Sequence, residues 1–108
     1  MHAILKEFSV DPSSVMTLGS ELVRPECVLT EKDGTVWSAD SRGSLTWISS
    51  DGEQSFVQQH IGGNAIEGNM PNGLAMTAEG NFVIANMGTR RLELMTPAFS
   101  ATKSTEAL

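Results

Sequence analysis

The sequence predicts an all-β chain of about two four-stranded antiparallel sheets, and three observations carry that prediction. Short apolar runs alternate with acidic-Gly and Asn-rich turns through the middle of the chain. The stretch Pro25 to Asp40 recurs as Pro71 to Asn86, an offset of 46 residues. No helix competes: Leu92 to Leu108 can be drawn as one, but Pro97 interrupts it.

The elements follow in order. Residues 1–22 form an N-terminal arm with one strand candidate, Val15-Met16-Thr17-Leu18. In residues 23–58, Cys27-Val28-Leu29 is the first apolar run and Asp33-Gly34 the first tight turn. Thr35-Val36-Trp37 is the return strand, and Asp40-Ser41-Arg42-Gly43 the next turn. Ser44-Leu45-Thr46-Trp47-Ile48 and Gln54-Ser55-Phe56-Val57 are strands three and four, separated by Asp51-Gly52. Residues 59–69 read as a Gly- and Asn-rich loop. Residues 70–97 repeat the plan: Leu74-Ala75-Met76, Glu79-Gly80, Asn81-Phe82-Val83-Ile84-Ala85, then Arg91-Leu92-Glu93-Leu94-Met95. Leu45 and Trp47 share one face at period two, as do Leu92 and Leu94. Residues 98–108 carry no hydrophobic pattern and read as a frayed tail.

A period in the forties marks a propeller or solenoid, and four antiparallel strands per ~45 residues make a propeller blade. The expectation is one partial β-propeller: a first blade over 23–58 and a partial second blade over 70–97.

Composition narrows the function. Of 108 residues, 40% are hydrophobic and 19% charged, ordinary for a globular chain. The net charge is -6 with seven Lys and Arg, so the basic patch of a nucleic-acid or anionic-membrane binder is missing. A lone cysteine, Cys27, excludes an intrachain disulfide and any multi-Cys zinc site. Cys27 starts an apolar run and reads as a small buried hydrophobe. His2 and His60 show no ligand spacing. The N-terminus lacks the roughly 7–15-residue apolar run of a signal peptide, and no stretch approaches the ~18 apolar residues of a membrane span. Both point to a cytoplasmic chain.

Arg24-Pro25-Glu26-Cys27-Val28-Leu29, Asp33-Gly34-Thr35-Val36-Trp37 and Asp40-Ser41-Arg42-Gly43 together resemble the opening of the gluconolactonase family. That family includes senescence marker protein (regucalcin) and luciferin-regenerating enzyme. Met70-Pro71-Asn72-Gly73-Leu74-Ala75, followed by Glu79-Gly80-Asn81-Phe82-Val83-Ile84-Ala85-Asn86, resembles its next blade. The resemblance spans roughly residues 10 to 97. It implies a six-bladed propeller with one axial divalent metal (Ca, Zn, Mg or Mn) that hydrolyses sugar lactones. By that resemblance Glu26 is the first metal ligand. Asn72 holds the equivalent position one blade later, where substrate or metal-bound water is met. The family's other ligands, an Asn and an Asp from later blades, have no counterpart here. After Pro97, Ala98-Phe99-Ser100 stands where the family has an Asp-Gly turn.

The chemistry fits these residue types. A metal polarises the lactone carbonyl and lowers the pKa of bound water. Hard cations take carboxylate and amide oxygens, which Glu26 and Asn72 offer. Each assignment has a plainer rival. For Glu26 it is an exposed carboxylate at a strand entrance, and for Asn72 an Asn-Gly turn residue. Arg42 is a substrate contact or a member of the Arg-Gly turn. Asp40 and Asn86 line the channel mouth or cap turns through their side chains.

The expected function is therefore the opening part of a metal-dependent sugar-lactone hydrolase, inactive as an isolated chain. A complete ring needs about 250 residues at this spacing. The alternative is a non-catalytic sheet module that binds a partner or self-associates through open edges, with closure of three such chains into a ring as one form.

Overall fold

The computed structural model describes residues 7–61, 64–96 and 105–107. Its described residues are mostly strand and turn. The first sheet contains β1 (Val28–Thr30), β2 (Val36–Asp40), β3 (Ser44–Ile48) and β4 (Gln54–Gln58). They lie in sequence order, each antiparallel to the next. A short hairpin, β5 (His60–Ile61) with β6 (Asn64–Ala65), follows. The second sheet contains β7 (Pro71–Met76), β8 (Phe82–Asn86), β9 (Arg91–Met95) and β10 (Thr105–Ala107), in the order β10-β9-β8-β7.

The repeat survives at the level of register. Val28 pairs with Ser38 and Thr30 with Val36 in the first sheet. Leu74 pairs with Ile84 and Met76 with Phe82 in the second, the same pairings displaced by 46. The offset becomes 47 in the third strands. Asp40 pairs with Ser44 across Ser41 to Gly43, whereas Asn86 pairs with Arg91 across Met87 to Arg90. The extra residue is absorbed in the turn. Arg90 adopts φ 60 there, in the left-handed region that Gly43 occupies with φ 98.

The two sheets pack face to face. From the first come Trp37, Ala39, Leu45 and Val57; from the second come Leu74, Phe82, Ile84 and Met95. Trp37 meets Phe82 edge-on at 4.7 Å between ring centroids, and its indole N–H donates to Glu31 at 2.9 Å. Fully burying side chains of this size is worth about 1.5–3 kcal/mol each, so this seam is the main source of stability. Cys27 is half-buried at the seam, and its sulfur accepts from the Leu74 amide at 3.2 Å. It behaves as a small core residue with a backbone partner.

Three expectations need correction. Val15 to Leu18 form no strand. The arm instead turns once through Pro12–Ser14, capped by the Asp11 side chain on the Ser13 amide, and meets β4 through the Gln54 side chain on Ser20 rather than through a backbone ladder. The segment 59–69 is not wholly loop, because β5 and β6 pair within it. Lastly, Thr105–Ala107 is not frayed: its backbone pairs with β9, whose edge is otherwise open. The other residues of the expected tail lie outside the described ones.

Candidate functional site

Glu26 precedes β1 and is exposed. Its amide donates to the Arg24 carbonyl at 2.8 Å, which closes a tight turn about Pro25. Its carboxylate accepts from Arg24 Nε at 3.0 Å and Nη2 at 2.5 Å. Arg24 itself takes φ 51, a left-handed conformation unusual for a non-glycine. Asn72 lies one element later, half-buried inside β7. The pairing of β7 with β8 shifts between Pro71 and Gly73, so Asn72 sits at a bulge rather than in a turn. Glu26 and Asn72 therefore begin neighbouring strands, since β7 packs against β1.

Arg42 is tied down. Its Nε donates to Asp40 Oδ1 at 2.9 Å and its Nη2 to Oδ2 at 2.6 Å. The guanidinium stands 4.5 Å over the Phe56 ring. The structure thus uses Arg42 to hold a turn, which is the plainer of the two expectations for it.

Asp40 and Asn86 are equivalent clasps. Asp40 accepts from the Arg42 amide at 3.0 Å and the Val23 amide at 3.2 Å. Asn86 accepts from the Gly88 amide at 3.0 Å and the Met70 amide at 2.9 Å. In both sheets one side chain caps the following turn and anchors the segment that enters the sheet. Burial raises the Asp40 pKa, but the hydrogen bonds and charge of Arg42 outweigh it, and the carboxyl is held below its ordinary 3.8. The hydrogen bond to Asp40 likewise holds Arg42 above its usual range.

A buried polar cluster that the sequence did not announce lies beside the second clasp. Asn86 Nδ2 donates to Glu93 Oε1 at 2.7 Å and to Asn69 Oδ1 at 2.5 Å. Thr89 Oγ1 donates to Glu93 Oε2 at 3.3 Å, and Asn69 Nδ2 to the Gly43 carbonyl at 2.7 Å. Glu93 is fully buried. Gln59 is also fully buried, and both its amide atoms lack a hydrogen-bond partner. The only advance signal for Glu93 is a pair of donors shortly before it in the chain, Asn86 and Thr89.

Glu26 is already paired with Arg24, and no group of three or more His, Cys, Asp or Glu converges among the described residues. Two oxygen donors fall short of the about six to eight that Ca²⁺ takes. Searches of family models, of curated proteins and of solved structures found no match to the chain. Among the described residues no helix is long and apolar enough to cross a membrane.

Proposed function

We propose that the chain is the opening two-blade segment of a gluconolactonase-like propeller, and that it turns over no lactone by itself. The supporting observation is the duplicated register, Val28 with Ser38 and Leu74 with Ile84, with Glu26 and Asn72 each two residues before the first member of its pair. In a complete ring those two positions would face one axis. The ion pair with Arg24 has to open before Glu26 binds a cation. The remaining oxygen ligands have to come from other blades.

The test has two parts. Hydrolysis of gluconolactone is followed with and without Ca²⁺, Zn²⁺, Mg²⁺ and Mn²⁺, and the expected rate is the spontaneous one. A metal-dependent rate abolished by Glu26→Gln would refute the inactivity. Reading the downstream coding sequence tests the family assignment: further repeats of about 45 residues bearing the Asn and Asp ligands support it, and unrelated sequence refutes it.

A second reading is a non-catalytic module that self-associates. It is favoured by the outer face of the second sheet, where Ala75, Ala85 and Leu92 are exposed.

A further inference from the structure

The packing of the two sheets has a direction. The first sheet contributes Trp37, Ala39, Leu45 and Trp47 to the seam. Their repeat equivalents in the second sheet are Val83, Ala85, Leu92 and Leu94, which lie on its other face. That face is uncharged at these positions, and Leu92 is 55% exposed. In the opposite sense, the second sheet receives the first through Leu74, Phe82, Ile84 and Met95. The equivalents of those four are Val28, Val36, Ser38 and Ile48 on the outer face of the first sheet, with Ser38 the one polar replacement. There they line an apolar groove of about 500 Å³, whose other wall is the arm from Leu18 to Leu22. The molecule thus carries both halves of its own internal seam a second time, one half on each outer face.

We infer that a second copy of the chain docks head to tail. The Val83, Ala85, Leu92 and Leu94 face of one copy enters the groove at Val28, Val36 and Ile48 of the next. The occupant follows from the internal seam, which shows the same pairing of equivalent positions within one chain. The arm covers part of this face, where Ile48 is 2% exposed while Val28 is open. Gln54 accepts from the Ser20 amide at 3.1 Å and donates to its carbonyl at 2.8 Å, the Val23 amide donates to Asp40 and the Ser41 amide to the Val23 carbonyl, so full docking at Ile48 shifts the arm. Head-to-tail contacts are heterologous, so they close into a ring or run on as a filament. The inference rests on the self-association reading and is independent of the lactonase assignment.

Sedimentation equilibrium of the full chain tests it. The weight-average mass should rise above one chain with increasing concentration. Ala85→Arg on one face and Val28→Asp on the other should each weaken association at least tenfold. Leu92→Asp replaces Ala85→Arg if the near-ultraviolet signal of the tryptophans shows that variant unfolded. The decisive sample is an equal mixture of the two singly altered chains. Each keeps one intact face, so the mixture should give a discrete two-chain species. A single-chain mass at all concentrations overturns the inference. So does association that neither variant weakens, or a mixture that fails to pair.

Discussion

The two sheets share a backbone plan but solve the same local problem with opposite chemistry. In the first, a carboxylate at the clasp, Asp40, accepts from the Thr46 hydroxyl and from Arg42. In the second, an amide at the clasp, Asn86, donates to a buried carboxylate, Glu93. Donor and acceptor have changed places across the repeat. The turns differ in consequence. The first brings its own cation back over the acid, so position 42 bears a long side chain. The second has Gly88 at the equivalent place, because the linker runs directly across it. A β-carbon at Gly88 would come 1.5 Å from the Gly68 carbonyl oxygen. Equal geometry therefore tolerates unequal residues only where the surroundings are also unequal.

That contrast can be broken at five positions. Gly88→Ala should do the most damage, about 3 kcal/mol or more, because backbone rather than a side-chain tip must yield. Arg42→Ala at the equivalent position should cost far less, because its ion pair with Asp40 is made at the surface. Urea unfolding of both variants makes the comparison. Asn86→Asp comes next. It sets a second carboxylate against Glu93 and removes two donated bonds, at about 3 kcal/mol near neutral pH. Adding Glu93→Gln to the same chain should recover most of that loss, and a thermal melt that shows no recovery would refute the exchanged donor and acceptor.

Asp40→Asn should cost about 1–2 kcal/mol, since the amide keeps the turn but loses the charged partner of Arg42. It should also alter the acid limb. The Asp40 carboxyl titrates below its ordinary 3.8 in the folded chain. Its stabilising contribution is therefore complete above that ordinary value and lost as pH falls through the lower folded one. Melting temperatures between pH 6 and pH 2, in round steps of about one unit, should fall less steeply in the variant. The smallest effect is a gain. Arg90→Gly should stabilise by about 0.5–1 kcal/mol, because glycine adopts the φ 60 conformation without strain. An equal or lower urea midpoint would count against strain at that turn.

Much of this plan is legible from local pattern. Acidic-Gly pairs and alternating apolar residues place seven of the strands in the repeats, and the 46-residue offset anticipates the shared register. The clasp at Asp40 and Asn86 is legible too, because Asx residues at turn entrances favour local hydrogen bonds. Burial is harder to read. Leu92 and Leu94 match Leu45 and Trp47 in sequence, yet Leu45 is buried and Leu92 exposed. Only one of the two faces has a neighbouring sheet, a fact no single repeat contains. Glu93 fails for the converse reason: a charged residue in alternation reads as outward-facing, and its partners Asn86 and Thr89 become partners only after the hairpin folds. For the candidate site, sequence placed Glu26 before β1, but its capture by Arg24 depends on the turn about Pro25.

The close pass at Gly88 also constrains how the chain reaches this structure. The β8–β9 turn lies beneath the Gly68 carbonyl, and Met87 donates to the Met70 carbonyl at 3.0 Å. A hairpin normally closes in microseconds from local contacts alone. The native form of this one also has the linker laid across it, so completing the turn is bound to a longer loop closure. The first sheet, whose β2–β3 turn ends in Gly43, carries a lighter form of this coupling through Asn69. Folding should accordingly run from the N-terminal sheet toward the C-terminal one, with the passage of Gly68 over Gly88 as the late, shared step.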